Sequence, residues 1–86
     1  ACRKIIEEYN YGPHFIHSTG HGIGLDVHEN PSISGKSKEK LKKDMAITVE
    51  PGIYIPKKFG VRIEDSLIVK DRAAVMHKFT KDLIVI

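Results

Sequence analysis

Three of the five histidines in this chain of 86 residues lie within one stretch that glycines interrupt at every second position. The stretch reads His17-Ser-Thr-Gly-His21-Gly-Ile-Gly-Leu-Asp-Val-His28, with Glu29 following. Because each glycine weakens a helix interior by roughly 1 kcal/mol relative to alanine, glycines at positions 20, 22 and 24 argue against a helix. We therefore predict a strand or a loop here.

The three histidines can share a pocket only if the backbone departs from a regular strand. On an uninterrupted strand His17 and His21 point to one face, whereas His28 points to the other. Glycine inside a strand is typical of a β-bulge or a close backbone approach, and a bulge would bring the histidines together. Neutral imidazole binds divalent metals and exchanges protons near neutral pH. Ordinary loop histidines are the alternative interpretation.

The first half of the chain predicts a helix, a short strand and two loops. Apolar residues at helical spacing indicate a helix over 1–10, which Asn10-Tyr11-Gly12-Pro13 ends. A short strand is predicted over 14–17, and a turn and loop over 30–35. Residues 36–43 contain five lysines and only Leu41 as an apolar anchor, so an exposed loop or one weak helical turn is expected.

After residue 44 the pattern changes to short apolar, β-branched runs separated by turn residues. This pattern is typical of antiparallel sheet. The predicted strands are 45–50, 53–55, 61–63, 67–69, 73–78 and 83–86.

Two glutamates flank the hairpin predicted around Lys57. In such a hairpin, residues whose numbers sum to 114 lie opposite each other, which pairs Glu50 with Glu64. The Cβ atoms of opposed residues are about 4.5 to 5.5 Å apart, and like charges there are destabilising. Arg62 is predicted to be a poor counter-charge, so a divalent cation is the expected compensation. Solvated glutamates at a sheet edge are the alternative.

His21, Glu50 and Glu64 together offer one imidazole and two carboxylates. Three such ligands can hold one metal ion with open positions, and manganese accepts both ligand types. Two metal ions would activate water more strongly but need more carboxylates than this set supplies.

Composition narrows the class of protein. The length allows one domain at most, and the opening without an initiator methionine, already in a helical pattern, suggests a piece of a longer protein. A single cysteine, Cys2, fits a reducing compartment, so a cytoplasmic location is expected. We expect no nucleic-acid partner, because the lysines of 36–43 lack interleaved aromatic residues, and no membrane partner, because no apolar run approaches roughly 18 residues.

Three ordered motifs resemble one known group of enzymes. They are Phe15 to Glu29, Thr48-Val-Glu50-Pro-Gly-Ile-Tyr54, and Gly60-Val-Arg62-Ile-Glu64-Asp65. They resemble the C-terminal part of the Xaa-Pro dipeptidase (prolidase) and aminopeptidase P group of pita-bread metallopeptidases. The resemblance covers essentially all 86 residues. It implies an α+β fold, mostly antiparallel sheet with the end of one helix, in which residues 1–86 form the C-terminal portion of a single, incomplete catalytic domain of the creatinase/aminopeptidase type.

The resemblance also implies a dinuclear site, usually of manganese or cobalt, held by two aspartates, one histidine and two glutamates. His21 matches the histidine ligand, Glu50 the first glutamate, which also transfers protons, and Glu64 the second glutamate, which bridges the metals. His28 matches the catalytic histidine that contacts substrate and stabilises developing negative charge. His17 and Arg62 match positions that line the substrate pocket.

The chain departs from this pattern upstream of the glycine-rich stretch. The two aspartate ligands should lie there, yet residues 1–16 contain no aspartate. Asp71 and Asp82 follow the glutamates and lack the family's surrounding residues, so we reject them as replacements. With three of five metal ligands, these residues alone are expected to bind metal weakly and to hydrolyse little.

The leading hypothesis is therefore a fragment of a hydrolase that cleaves the Xaa-Pro bond of dipeptides. Three alternatives stay open: aminopeptidase P acting on longer peptides, a non-catalytic pita-bread module that binds a protein, and a mononuclear metal-binding domain. The expected partners are a peptide with proline after the scissile bond and the missing N-terminal part of the same domain. A second copy in a homodimer is a further open alternative.

Overall fold

The computed structural model describes residues 1–78 and 80–85 as a short helix, a 3-10 turn and seven strands. Helix α1 covers Cys2–Glu8, and the 3-10 turn covers Gly12–His14. The strands are β1 Gly20–Gly22, β2 Glu29–Ile33, β3 Ala46–Val49, β4 Gly52–Ile55, β5 Phe59–Arg62, β6 Asp65–Ile68 and β7 Ala74–Val75. Within these described residues no helix is long and apolar enough to span a membrane.

Five of the strands form an antiparallel sheet with the order β2-β1-β3-β6-β7, while β4 and β5 form a separate hairpin. At the centre of the sheet, β3 pairs with β6 and sets Ile47 opposite Leu67. These two side chains are buried together with Phe15 and form the hydrophobic core. The β-branched run that precedes Glu50 suits such a half-buried strand, and it fixes the position of that glutamate at the end of β3.

Most predicted elements are confirmed, and two in the first half are wrong. Residues 14–17 form no strand, because Pro13 lies in a 3-10 turn and its ring fixes φ near the helical value. Residues 30–35 were predicted as a turn and loop, yet Glu29–Ile33 form strand β2. Pro31 is tolerated there because β2 lies at the edge of the sheet, where a missing N–H does not interrupt a central ladder.

The end of the chain contains less strand than the sequence predicts. Of the strand predicted over 73–78, only Ala74–Val75 pair, with β6. Residues 83–85 are exposed and form no strand, and Ile86 lies outside the described residues. The segment after β7 is nevertheless attached to β6, since the Nζ atom of Lys81 is 3.1 Å from the carboxylate of Asp65.

The predicted hairpin register is confirmed. Ile53 lies opposite Val61 and Gly52 opposite Arg62, in pairs that each sum to 114. Lys57, at the predicted centre, has a φ of 61°, the left-handed conformation of a tight turn. The ladder of β4 and β5 ends at Gly52 and Arg62, so the two glutamates lie just beyond its last pair.

The glycine-rich stretch contains the irregularity that the sequence predicts. Along β1 and β2, His21 pairs with Ser32 but Gly22 pairs with Glu29, so the register shifts between two neighbouring residues. Gly22 permits this shift, because a Cβ atom at that position would lie 2.6 Å from the carbonyl carbon of Asn30. The chain can therefore fold back on itself between the two strands.

Candidate active site

His21 and Glu50 form the centre of the site. His21 lies on β1 and Glu50 directly follows β3, and the His21 Nε2 atom is 3.3 Å from Glu50 Oε2. The Nδ1 atom of His21 is 2.8 Å from the carbonyl oxygen of Gly22. Because a carbonyl only accepts hydrogen bonds, Nδ1 is the donor and Nε2 is the ring nitrogen that faces the carboxylate.

Thr48 is buried beneath the site and contacts both His21 and Glu50. It is only 2% exposed, and its Oγ1 atom accepts a hydrogen bond from the His21 backbone N–H at 3.1 Å. Its hydroxyl also donates to the Glu50 side chain. Sequence reasoning missed Thr48, although a polar residue two positions before Glu50 in an apolar strand, on the same face, was the available signal.

The Glu50 carboxyl has a lowered pKa. Burial raises this pKa, but the Thr48 hydrogen bond, the electrostatic interactions with His21 and Arg62 and a hydrogen bond with Glu64 together outweigh that effect. Arg62 lowers this pKa less than Thr48 and His21 do, and among the described residues it forms no ion pair with a carboxylate, which is consistent with the prediction that it is a poor counter-charge. Arg62 ends β5, and its positive charge acts on Glu50 although its ladder partner is Gly52.

Glu50 and Glu64 are brought together as the hairpin register predicts. Glu64 follows β5, is exposed, and forms a side-chain hydrogen bond with Glu50. Two carboxyl groups in such contact need a shared proton or a cation between them, because two bare carboxylates repel each other. The pair thus offers oxygen atoms where a cation would relieve repulsion.

His28 reaches the site through the shift in register. Its ring centroid lies 4.3 Å from that of His21, with an angle of 56° between the ring planes. His28 is exposed at the end of the loop between β1 and β2. The predicted convergence of these two histidines is confirmed.

His17 is held in a separate group of aromatic side chains. Its Nδ1 atom is 2.7 Å from the Ser18 carbonyl oxygen, and its Nε2 atom is 3.0 Å from the Tyr54 hydroxyl. Since Nδ1 must donate to the carbonyl, Nε2 accepts from the Tyr54 O–H. The His17 ring also packs edge-on against Phe15 and Tyr54, at 5.3 Å between centroids in each case. Tyr54 was not assigned a role from the sequence.

The chemistry of His21, Glu50 and Glu64 fits a divalent metal. Imidazole nitrogen and carboxylate oxygen are ligands that manganese and similar ions accept. A metal-binding histidine usually donates its other N–H to a carbonyl or carboxylate, as His21 does to Gly22. Within residues 1–78 and 80–85, however, no three His, Cys, Asp or Glu side chains are grouped so that they could hold a metal ion. The three ligands therefore stay a prediction.

The amino-acid sequence of this chain is similar to those of known metallopeptidases. The chain matches the model of metallopeptidase family M24 over residues 1–71. It is 57% identical over 73 residues to an Xaa-Pro dipeptidase from Pyrococcus furiosus, covering 85% of this chain and 21% of that relative.

Solved structures agree with the sequence match. An Xaa-Pro dipeptidase from Bacillus anthracis superposes with a TM-score of 0.95 at 52% identity, over 98% of this chain and 24% of that one. An X-Pro aminopeptidase from Thermotoga maritima superposes with a TM-score of 0.91 at 41% identity, again over 98% and 24%. The chain thus spans about a quarter of these proteins or less. The predicted fold class, part of a pita-bread domain with mostly antiparallel sheet and one helix, is confirmed.

Proposed function

We propose that this chain, which belongs to metallopeptidase family M24, provides the histidine and glutamate ligands of a two-metal site that hydrolyses the Xaa-Pro bond of dipeptides. The observation that supports the proposal is the row of contacts from His21 to Glu50, at 3.3 Å, and from Glu50 to Glu64. These three side chains come from three separate parts of the sheet and hairpin. A set that mixes imidazole with paired carboxylates suits metal binding better than a plain protein-binding surface.

His21, Glu50 and Glu64 would hold two divalent ions, of manganese or cobalt, together with two aspartates from an upstream part of the same domain. When bound, such ions polarise the peptide carbonyl and lower the pKa of water. Residues 1–86 would then be the C-terminal portion of a catalytic domain. Without the aspartates they would bind metal weakly and show little hydrolysis.

Glu50 and His28 would carry out the proton and charge steps. Glu50 is ionised at neutral pH, as its lowered pKa requires, and its position beside His21 rather than its basicity suits it to accept a proton from water and pass it on. His28, whose exposed ring lies beside His21, can donate a hydrogen bond to the oxygen that gains negative charge.

His17 and Arg62 would orient the substrate. The His17 ring is fixed on one side by Ser18 and on the other by Tyr54, which presets its direction before a peptide binds. Arg62 is exposed and lies within electrostatic reach of Glu50, where it can face an anionic group of a short peptide. Proline after the scissile bond forms a tertiary amide, which needs such a shaped pocket.

A second candidate, aminopeptidase P, differs only in taking longer peptides. The similarity of this chain to both a dipeptidase and an X-Pro aminopeptidase supports keeping it. The residues of this site would serve either enzyme in the same way. Length selection would then depend on parts of the protein outside these residues.

The test is release of proline from an Xaa-Pro dipeptide in the presence of manganese. We would assay these 86 residues alone and the same residues joined to their upstream sequence, with an Xaa-Pro-Xaa tripeptide as a second substrate. Cleavage of the dipeptide only by the joined protein is the expected result. Preference for the tripeptide would favour aminopeptidase P, and a folded joined protein that cleaves neither peptide would contradict the proposal in favour of a binding module.

A further inference from the structure

His28 lies at the end of the loop between β1 and β2. The apolar residues of this loop do not anchor the loop to the core. Leu25 is 104% exposed and Val27 is 77% exposed, so neither packs on the core of the described residues. A loop of this kind samples many conformations unless polar contacts close it. The pairing of Glu29 with Gly22 brings His28 to within 4.3 Å of His21, and polar contacts across the loop can hold the ring in that place.

The Glu29 carboxylate makes contacts that can close this loop. Its Oε2 atom accepts a hydrogen bond from the backbone N–H of Asp26 at 3.4 Å. The same carboxylate lies against Gly24, where an added Cβ atom would be 2.9 Å from the Glu29 Cδ atom and 3.1 Å from Oε2. Glu29 thus reaches back across the loop from the first residue of β2 and touches it at two points.

We propose that Glu29 is a positioning residue that closes the loop over 24–28 and so presents the His28 ring to the site. Glu29 is adjacent to His28 and is paired with Gly22, the neighbour of His21. The Glu29 carboxylate contacts Asp26 in the middle of the loop and lies against Gly24 at its start, so it holds the loop against the end that is paired with the His21 strand. The catalytic consequence rests on the function proposed above, whereas the structural consequence does not.

Gly24 has a defined part in this arrangement. The atoms nearest to an added Cβ at Gly24 all belong to the end of the Glu29 side chain, which can move without shifting the backbone. Gly24→Ala should therefore displace the carboxylate at little direct cost to the fold. Gly35→Ala is the matched control, because an added Cβ there meets nothing within 4 Å.

The experiment measures the nuclear Overhauser effect between the ring protons of His21 and His28. It uses the full protein, with its upstream sequence, labelled at histidine and recorded without paramagnetic metal. The wild-type protein and Gly35→Ala should show the cross-peak. Glu29→Ala and Gly24→Ala should lose most of it, whereas Glu29→Gln should retain it because the amide oxygen can still accept from Asp26.

Amide contacts across the Ile47 and Leu67 pair in the same spectra report whether each variant is folded. If Glu29→Ala does not fold, Gly24→Ala answers the question by itself. A folded Glu29→Ala or Gly24→Ala variant that keeps the full cross-peak would overturn the proposal. Loss of the cross-peak in Glu29→Gln as well would also overturn it, because that variant keeps the acceptor.

Peptidase assays separate this inference from the proposed function. If the protein cleaves Xaa-Pro dipeptides, Glu29→Ala should lower kcat/KM on the order of tenfold to a hundredfold, and Glu29→Gln should restore most of it. If no variant has activity, the proposed function fails while the ring contact still tests the role of Glu29. Equal activity of Glu29→Ala and wild type, with the cross-peak lost, would show that the loop position does not serve catalysis.

Discussion

Thr48 and Glu50 lie two residues apart at the end of β3, and the hydroxyl of the first donates a hydrogen bond to the carboxyl of the second. The same hydroxyl accepts the backbone N–H of His21 at 3.1 Å. One buried side chain therefore helps to hold β1 beside β3 and also helps to lower the pKa of the Glu50 carboxyl. This links the packing of the sheet directly to the chemistry of the candidate site.

Thr48→Val should raise the pKa of the Glu50 carboxyl, because it removes a hydrogen bond to the ionised form. It should also lower the free energy of unfolding by about 1–3 kcal/mol, since the His21 N–H loses its acceptor. NMR titration of the Glu50 carboxyl carbon and urea denaturation measure the two effects. Thr48→Ser keeps the hydroxyl and is the control, and an unchanged pKa in Thr48→Val would show that the hydroxyl does not act on Glu50.

Acid should destabilise the metal-free protein through Glu50. Burial raises the pKa of this group, but Thr48, His21, Arg62 and Glu64 bring it below the ordinary value of 4.5, to which unfolding returns it. The unfolded state therefore binds the proton more readily. The stabilisation that the ionised Glu50 carboxylate gives to the folded state is fully present above pH 4.5 and is lost as the pH falls through the folded pKa.

Urea denaturation at a series of pH values from about 6 downwards checks this linkage. Glu50→Gln should show a shallower loss of stability in acid than the wild type. Glu39→Gln, in the exposed loop of residues 36–43, should follow the wild-type curve. Parallel curves for wild type and Glu50→Gln would contradict a lowered pKa at Glu50.

Alanine in place of Gly20 should destabilise the sheet, whereas alanine in place of Gly35 should not. An added Cβ at Gly20 would lie 2.7 Å from the backbone carbonyl carbon of Thr48, and backbone at the centre of a sheet cannot move aside cheaply. Overpacking of this kind costs about 1–3 kcal/mol, occasionally more. Thermal unfolding of both variants is the measurement, and equal melting temperatures would show that β1 and β3 are farther apart than the structure places them.

Local pattern was sufficient for much of this fold. The short apolar, β-branched runs predict β3, β4 and β6. A turn centred on Lys57 determines which residues of the hairpin lie opposite each other, so the approach of Glu50 and Glu64 follows from counting. The glycines likewise indicate the irregularity that brings His28 to His21. In each case a turn or an irregularity formed by neighbouring residues determines which side chains meet.

Features that depend on distant pairing were missed. The sequence of β2 contains Asn30 and Pro31, which are typical of turns, and only its edge position beside β1 makes it a strand. The contact of Thr48 with His21 joins residues 27 positions apart, and that of His17 with Tyr54 joins residues 37 apart. No local pattern encodes such contacts, because they arise only after the sheet has assembled.

Glu64→Ala in the full protein should abolish hydrolysis of an Xaa-Pro dipeptide, because in the proposed function Glu64 would be one of the ligands that hold the metal ions. Lys40→Ala, in the exposed segment 36–43, should change the activity little. Measuring the bound manganese alongside the rate tests the cause, since Glu64→Ala should lose metal together with activity. Comparable losses of activity in both variants would contradict the site assignment.

Tyr54→Phe should impair substrate orientation without unfolding the protein. The phenylalanine ring can keep the edge-on packing against His17, which has 5.3 Å between centroids, but it cannot donate the hydrogen bond that Nε2 accepts at 3.0 Å. The His17 ring would then keep one polar anchor, the Ser18 carbonyl oxygen, and would turn more freely.

Because His17 is proposed to contact the substrate rather than the reacting atoms, KM should rise by a larger factor than kcat falls in Tyr54→Phe. A lost hydrogen bond of about 0.5–1.5 kcal/mol corresponds to a several-fold change, which steady-state kinetics resolves readily. A fall in kcat with KM unchanged would instead place the Tyr54 and His17 pair in the chemical step.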